Sequence, residues 1–108
     1  MAWQLANSLR QLIVGHTDNG PILNDFRFRD QIRDAVLSAC RNTSEGFYKY
    51  RHSEFKRYLN IARGSLGETL DAIEDGLQRN YFSEETAREM TNLCDRAMIA
   101  NLRLMQTL

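Results

Sequence analysis

The stretch FKRYLNIARGSLGETLDAIEDGL, residues 55–77, decides the fold. Its apolar and small side chains recur at Phe55, Leu59, Ala62, Leu66, Thr69, Ile73 and Leu77, in steps of four and three. That spacing places one stripe along a helix of about seven turns, the pattern of a bundle helix packed against neighbours. No stretch of useful length alternates at the two-residue period of a strand.

The same period extends outward in both directions. Upstream, Ile32, Val36, Ala39, Cys40, Thr43 and Phe47 form the inner face of a second helix. Leu5, Leu9, Leu12 and Ile13 form the inner face of a shorter one before it. Downstream, Ala87, Met90, Cys94, Ala97, Met98, Asn101 and Met105 form a fourth. Thr17-Asp18-Asn19-Gly20-Pro21 is a turn sequence that ends the first helix, and Asn24 or Asp25 is placed to cap the second. Ser53 is a plausible cap for the third helix, and Asn80 suits the left-handed position that stops it. Ser83 caps the fourth, with Glu84 and Glu85 at its positive end and Phe82 and Ala87 spaced as a hydrophobic staple. Helices are therefore expected near 2–17, 24–50, 53–79 and 83–107. Short connections make sequential helices antiparallel, so the expected class is all-α, an up-down-up-down four-helix bundle over residues 1–108 as a single domain.

Fourteen basic and fourteen acidic side chains leave no net charge, unlike a globally basic nucleic-acid binder. The balance hides a division. Residues 1–63 hold ten basic and six acidic groups, or +4, and residues 64–108 hold four and eight, or −4. Such a split can place a basic face on a neutral protein. No cationic start leads into a long apolar run, and no segment is apolar enough to span a membrane, so a cytoplasmic protein is expected. Cys40 and Cys94 have no C-x-x-C spacing and fall on core faces, the pattern of inert, reduced thiols.

Reactive constellations are not evident. His16 and His52 lack metal-ligand spacing with a cysteine or carboxylate. Phosphate-cradling and dinucleotide glycine motifs are missing, and Gly64-Ser65 lies inside a helix rather than at a strand-to-helix elbow. Neither an enzyme nor a cofactor is expected. The methionines read as core filling.

Two outward stripes exceed what a monomeric bundle needs. One follows Asp34, Leu37, Arg41, Ser44 and Tyr48; the other follows Arg57, Ile61, Gly64 and Glu68. A solvated face is charged throughout, whereas these mix apolar groups with charges of both signs. Glycine inside a helix costs about 1 kcal/mol relative to alanine, and close approach of another backbone is the usual compensation. The expected oligomer interface is Leu37, Arg41, Glu45, Tyr48, Arg57, Ile61, Gly64 and Glu68. Glu45 and Glu68 are the carboxylates expected to pair with Arg63, within or between subunits. The hinge Lys49-Tyr50-Arg51-His52, with Lys56, offers cations and an aromatic ring to RNA or DNA. Residues 27–63 carry nine basic and four acidic groups.

The segment from Gln31 to Glu68 also resembles a known family. Gln31-Ile32-Arg33, Ser38, Asn42-Thr43-Ser44-Glu45-Gly46, Glu54-Phe55, Tyr58-Leu59 and Ile61-Ala62-Arg63-Gly64-Ser65-Leu66 with Glu68 are similar to the four-helix-bundle proteins encoded in intervening sequences of 23S rRNA genes. Trp3 and Ala6 extend the match into the first helix. The resemblance implies a bacterial protein, a left-handed bundle and a homopentameric ring with no established enzymatic activity. A more distant resemblance, to the accessory proteins of reverse transcriptases in diversity-generating retroelements, implies binding of nucleic acid and polymerase. Those relatives are strongly basic, and this chain is neutral. The reading that results is an oligomeric, non-enzymatic scaffold or adaptor, with nucleic-acid binding at the hinge as the alternative.

Overall fold

A computed structural model describes residues 1–108. It contains four helices, α1 (Ala2–His16), α2 (Phe26–Phe47), α3 (His52–Gln78) and α4 (Glu84–Gln106), and a 3-10 turn at Pro21–Asn24. Asp25 caps α2 by accepting the Phe28 amide at 3.2 Å, and Ser83 caps α4 by accepting that of Thr86 at 3.1 Å. Asn80 takes the left-handed position, with φ 64°. Three boundaries differ from expectation. α2 starts later because the proline-led turn occupies Pro21–Asn24, and it stops at Phe47 rather than near residue 50. α3 begins at His52, ahead of Ser53, and its cap position, Arg51, makes no side-chain capping bond.

Contacts along the helices fix the directions. Ser38 of α2 meets Ser65 of α3 at 2.8 Å, and Gly46 lies against Phe55 and Tyr58. Higher numbers on one helix thus face lower numbers on the next. Asn101 of α4 bonds the Leu59 carbonyl and Cys94 that of Leu66, so α3 and α4 are also antiparallel. Arg33 of α2 reaches Val14 near the end of α1. Each helix packs on its two sequence neighbours, with α1 closing against α4 and the backbones of diagonal helices standing apart. The four helices therefore stand at the corners of a four-sided cross-section.

Leu9, Ile13, Ile32, Val36, Leu59, Ile73 and Met90 are fully enclosed at its centre. Each such side chain contributes about 1.5–3 kcal/mol by leaving water. Phe47, expected inside, is instead 53% exposed. Gly46 takes the inward position, where a Cβ would stand 2.9 Å from Phe55, and Phe47 stays outside, edge-on to that ring at 5.0 Å. At the opposite end Phe28 and Phe82 are buried around Gly76, whose missing Cβ leaves room for both rings. Both cysteines are buried, and burial pushes the Cys94 thiol up to about 12. Its Sγ donates to the Leu66 carbonyl at 3.3 Å.

Two polar clamps tie the ends together. Arg33 donates to Thr17 Oγ1 at 2.8 Å, the Val14 carbonyl at 3.2 Å and Asp18 at 3.0 Å, while Arg29 bonds the Thr17 carbonyl at 2.9 Å. These guanidinium groups satisfy carbonyls at the negative end of α1. In the second clamp, Tyr81 Oη donates to Asp25 at 2.7 Å and Arg79 bridges Asp25 and Asp75 at 3.1 and 3.0 Å. The Tyr81 bond, then the Phe28 amide, hold the Asp25 carboxyl below its ordinary value, and the same bond raises the Tyr81 phenol. The signs set a pH window. A depressed carboxylate contributes stability above its unfolded value of 3.8 and loses it as pH falls through the lower folded one. A raised phenol contributes below 10 and loses its contribution as pH rises through the higher folded value. Tyr81→Phe is thus expected to melt below wild type on the plateau between those limits. The gap should narrow at both ends of a pH series of melting temperatures; a constant gap would show that this bond does not carry the clamp.

Candidate interaction surface

The two outward stripes run along α2 and α3, which are neighbours, so they adjoin on the surface of the bundle. Arg41, Glu45, Tyr48, Arg57, Ile61, Gly64 and Glu68 are all exposed, and Leu37 is half-buried. Ile61 is 41% exposed. A Cβ on Gly64 would meet no atom within 4 Å. No close approach inside the chain therefore offsets the cost of this glycine. Between the stripes α2 and α3 join through small polar groups. The Ser38 hydroxyl bonds that of Ser65, and Asn42 Nδ2 donates to the Ser38 carbonyl at 2.9 Å.

A groove of about 440 Å³ opens beside the α2 stripe, between α1 and α2, lined by Trp3, Asn7, Arg10, Leu37, Arg41 and Glu45 among others. Trp3 is 41% exposed there. The contribution of α1 was not anticipated from sequence. Its signal was available: Trp3, Asn7 and Arg10 recur at steps of four and three on the face opposite Leu5, Leu9 and Ile13.

Within one chain the ion pair expected for Arg63 is not formed. Arg63 donates instead to Asn60 Oδ1 at 2.7 Å and to Met105 Sδ at 3.4 Å. It leans toward α4, while Glu68, five residues on, projects about 140° around the helix at 100° per residue, and Glu45 stands on the outer face of α2.

The hinge residues fall at the end of the bundle shared by α2 and α3. Tyr50 is fully exposed. Lys49 and Arg57 flank Tyr58, with the ammonium 4.9 Å and the guanidinium 5.6 Å from the ring centroid. The four salt bridges in the chain use Arg29, Arg33 and Arg79 only. Arg41, Lys49, Arg51, Lys56 and Arg57 are all left without a carboxylate. No group of three or more His, Cys, Asp or Glu side chains is arranged to hold a metal, and no helix is long and apolar enough to cross a membrane.

A family model, the 23S rRNA-intervening sequence proteins, matches residues 1–100. The chain belongs to that family. This extends the likeness beyond the central segment through α1 and most of α4. Among solved structures, the fold is similar to the 1.70 Å crystal structure of a protein of unknown function from the S23 ribosomal protein family of Bacteroides thetaiotaomicron VPI-5482. The TM-score is 0.88 over 97% of this chain and 98% of that one, at 18% identity. No curated protein matches the chain. In this family member, several of the residues that carried the resemblance have visible structural tasks. Arg33 closes α1, Ser38, Asn42 and Ser65 join α2 to α3, and Gly46 admits Phe55. Gly64 and Glu68 have no such task within the chain.

Proposed function

We propose that this protein is a non-enzymatic, self-assembling helical-bundle adaptor whose ring displays the α2–α3 hinge on one rim. The observation that carries the reading is Gly64. A mid-helix glycine costs about 1 kcal/mol, nothing within the chain approaches it, and it sits beside exposed Ile61 on a face of mixed charge. Contact with a second backbone is the physical use of such a site. The family resemblance supports five copies. A solution mass that is a multiple of 12.5 kDa is expected, and a monomer at micromolar concentration would refute the reading.

A second reading is favoured by one specific observation: the hinge cations have no carboxylate partners. Lys49, Arg51 and Lys56, with fully exposed Tyr50, would repeat around the rim of a ring and bind RNA or DNA through phosphates and base stacking. Such binding is expected to tolerate sequence changes and to weaken steeply with salt. A labelled structured RNA titrated at about 50 mM salt tests it. Binding abolished by joint substitution of the three cations, with the assembly intact, supports this role; no binding leaves the adaptor without it.

A further inference from the structure

We infer that the chains join head to tail, each seating the outer face of α3 in the α1–α2 groove of the next, with Arg10 against the neighbour's Glu68 and Glu45 against its Arg57. This rests on the assembly reading and names its partner surfaces: the occupant of the groove is a second copy.

Both surfaces are incomplete in one chain, and in complementary ways. The groove has an apolar floor of Trp3 and Leu37, cations at Arg10 and Arg41, and a carboxylate at Glu45. The outer face of α3 has an apolar centre at Ile61, an open backbone at Gly64, a carboxylate at Glu68 and a cation at Arg57. None of these five charged groups belongs to a salt bridge.

The register of the bundle places the complements at matching heights. The Ser38–Ser65 bond and the packing of Gly46 on Phe55 and Tyr58 put Glu45 level with Tyr58, next to Arg57. The same relation puts Leu37 level with Leu66. The Arg33–Val14 and Arg29–Thr17 bonds set α1 against α2, bringing Arg10 level with Leu37 and Trp3 level with Ser44. Arg10 therefore stands at the height of residue 66, about 3 Å along the axis from Glu68 at 1.5 Å per residue. Trp3 and Leu37 bracket the heights of Ile61 and Gly64. Copies related by rotation about an axis parallel to the helices, with no sliding, meet cation to carboxylate at both ends and apolar group to apolar group between. The bare backbone at Gly64, two residues from the height of Leu37, leaves space for that side chain, while Ile61 stands two residues from the height of Trp3. The reverse charge order along α3 would set like charges together and oppose the contact.

Groove and ridge are different surfaces, so the contact is heterologous. They belong to neighbouring sides of the bundle. Each added copy therefore turns a corner, the geometry of a ring rather than of a straight filament.

A charge exchange tests the seating. The backbones of α1 and α3 do not approach each other within one chain, and Arg10 and Glu68 both lie outside the core, so any rescue between them must act between copies. Wild type, Arg10→Glu, Glu68→Arg and the double variant are compared by sedimentation over a dilution series, with circular dichroism showing that each keeps its helices. Each single variant is expected to weaken assembly at least about tenfold, and the double variant to return close to wild type. Trp3, the one tryptophan, supplies a second readout that needs no variant. Its emission in wild type should move to longer wavelength as dilution uncovers the groove. Single variants that assemble normally, a double variant that is not rescued, or Trp3 emission unchanged through dissociation would each overturn the seating while leaving self-assembly standing. A wild type that is monomeric at every concentration overturns both.

Discussion

Gly76→Val is expected to lower the melting temperature by about 10 °C or more, whereas Gly67→Ala is expected to raise it by a few degrees. The two glycines lie in the same helix and are indistinguishable by propensity, where each costs about 1 kcal/mol against alanine. Their surroundings decide the sign. A Cβ at Gly76 would stand 2.5 Å from the Phe82 ring and 2.9 Å from that of Phe28, and both phenylalanines are buried. Overpacking of this kind costs about 1–3 kcal/mol, which exceeds the gain in propensity, and a branched side chain adds to it. In a domain of this size each kcal/mol moves the melting temperature by roughly 4–8 °C. At Gly67 no atom of the same chain lies within 4 Å, and the position lies about 60° around the helix from Gly64, off the stripe of Arg57, Ile61, Gly64 and Glu68, so alanine gains there without loss. Thermal denaturation of both variants checks this; a tolerated valine at 76 would mean that the aromatic end of the core is loose.

Gly64→Leu is expected to make the isolated chain more robust and the assembly weaker. In one chain the position is exposed and open, so leucine gains most of the glycine's helix penalty, roughly 1 kcal/mol. Between chains the same side chain fills the space left for the neighbour's groove, and its bulk separates Ile61 from Trp3. Melting temperature measured under dissociating dilution should rise while the sedimenting mass at micromolar concentration falls. A substitution that only disturbed folding would move both downward. An unchanged mass would remove Gly64 from the interface.

The helices were legible because the apolar period is sustained and the punctuation is local. Asn80 and Ser83 carry their own signals, and the structure places them as the left-handed stop and the cap. What could not be read was set by contacts between distant residues. Gly46 and Gly76 interrupt the apolar pattern, yet they occupy buried positions because rings from other segments cover them. Phe47 fits the period of α2 but lies outside, because Gly46 takes the inward position against Phe55. Arg33 reads as a surface charge until the end of α1 is brought against it. The interaction surface was half legible. The mixed stripes on α2 and α3 are visible in the spacing, but Trp3 and Arg10 join them only through the pairing of α1 with α2. A carboxylate partner for Arg63 was expected within or between subunits because opposite charges recur at nearby positions; within one chain, helix phase directs Glu68 to a different face and Arg63 bonds Asn60 and Met105.

The central claim is that the outer face of the α2–α3 pair, with the adjoining groove, is an interface between copies of this chain. Sedimentation equilibrium of the wild-type protein from about 1 to 100 µM, spanning the usual range of stable homo-oligomers, tests it most directly. The account predicts a closed assembly of fixed stoichiometry, with a mass several times 12.5 kDa, that dissociates on dilution without larger species. A single species of 12.5 kDa throughout that range would contradict it.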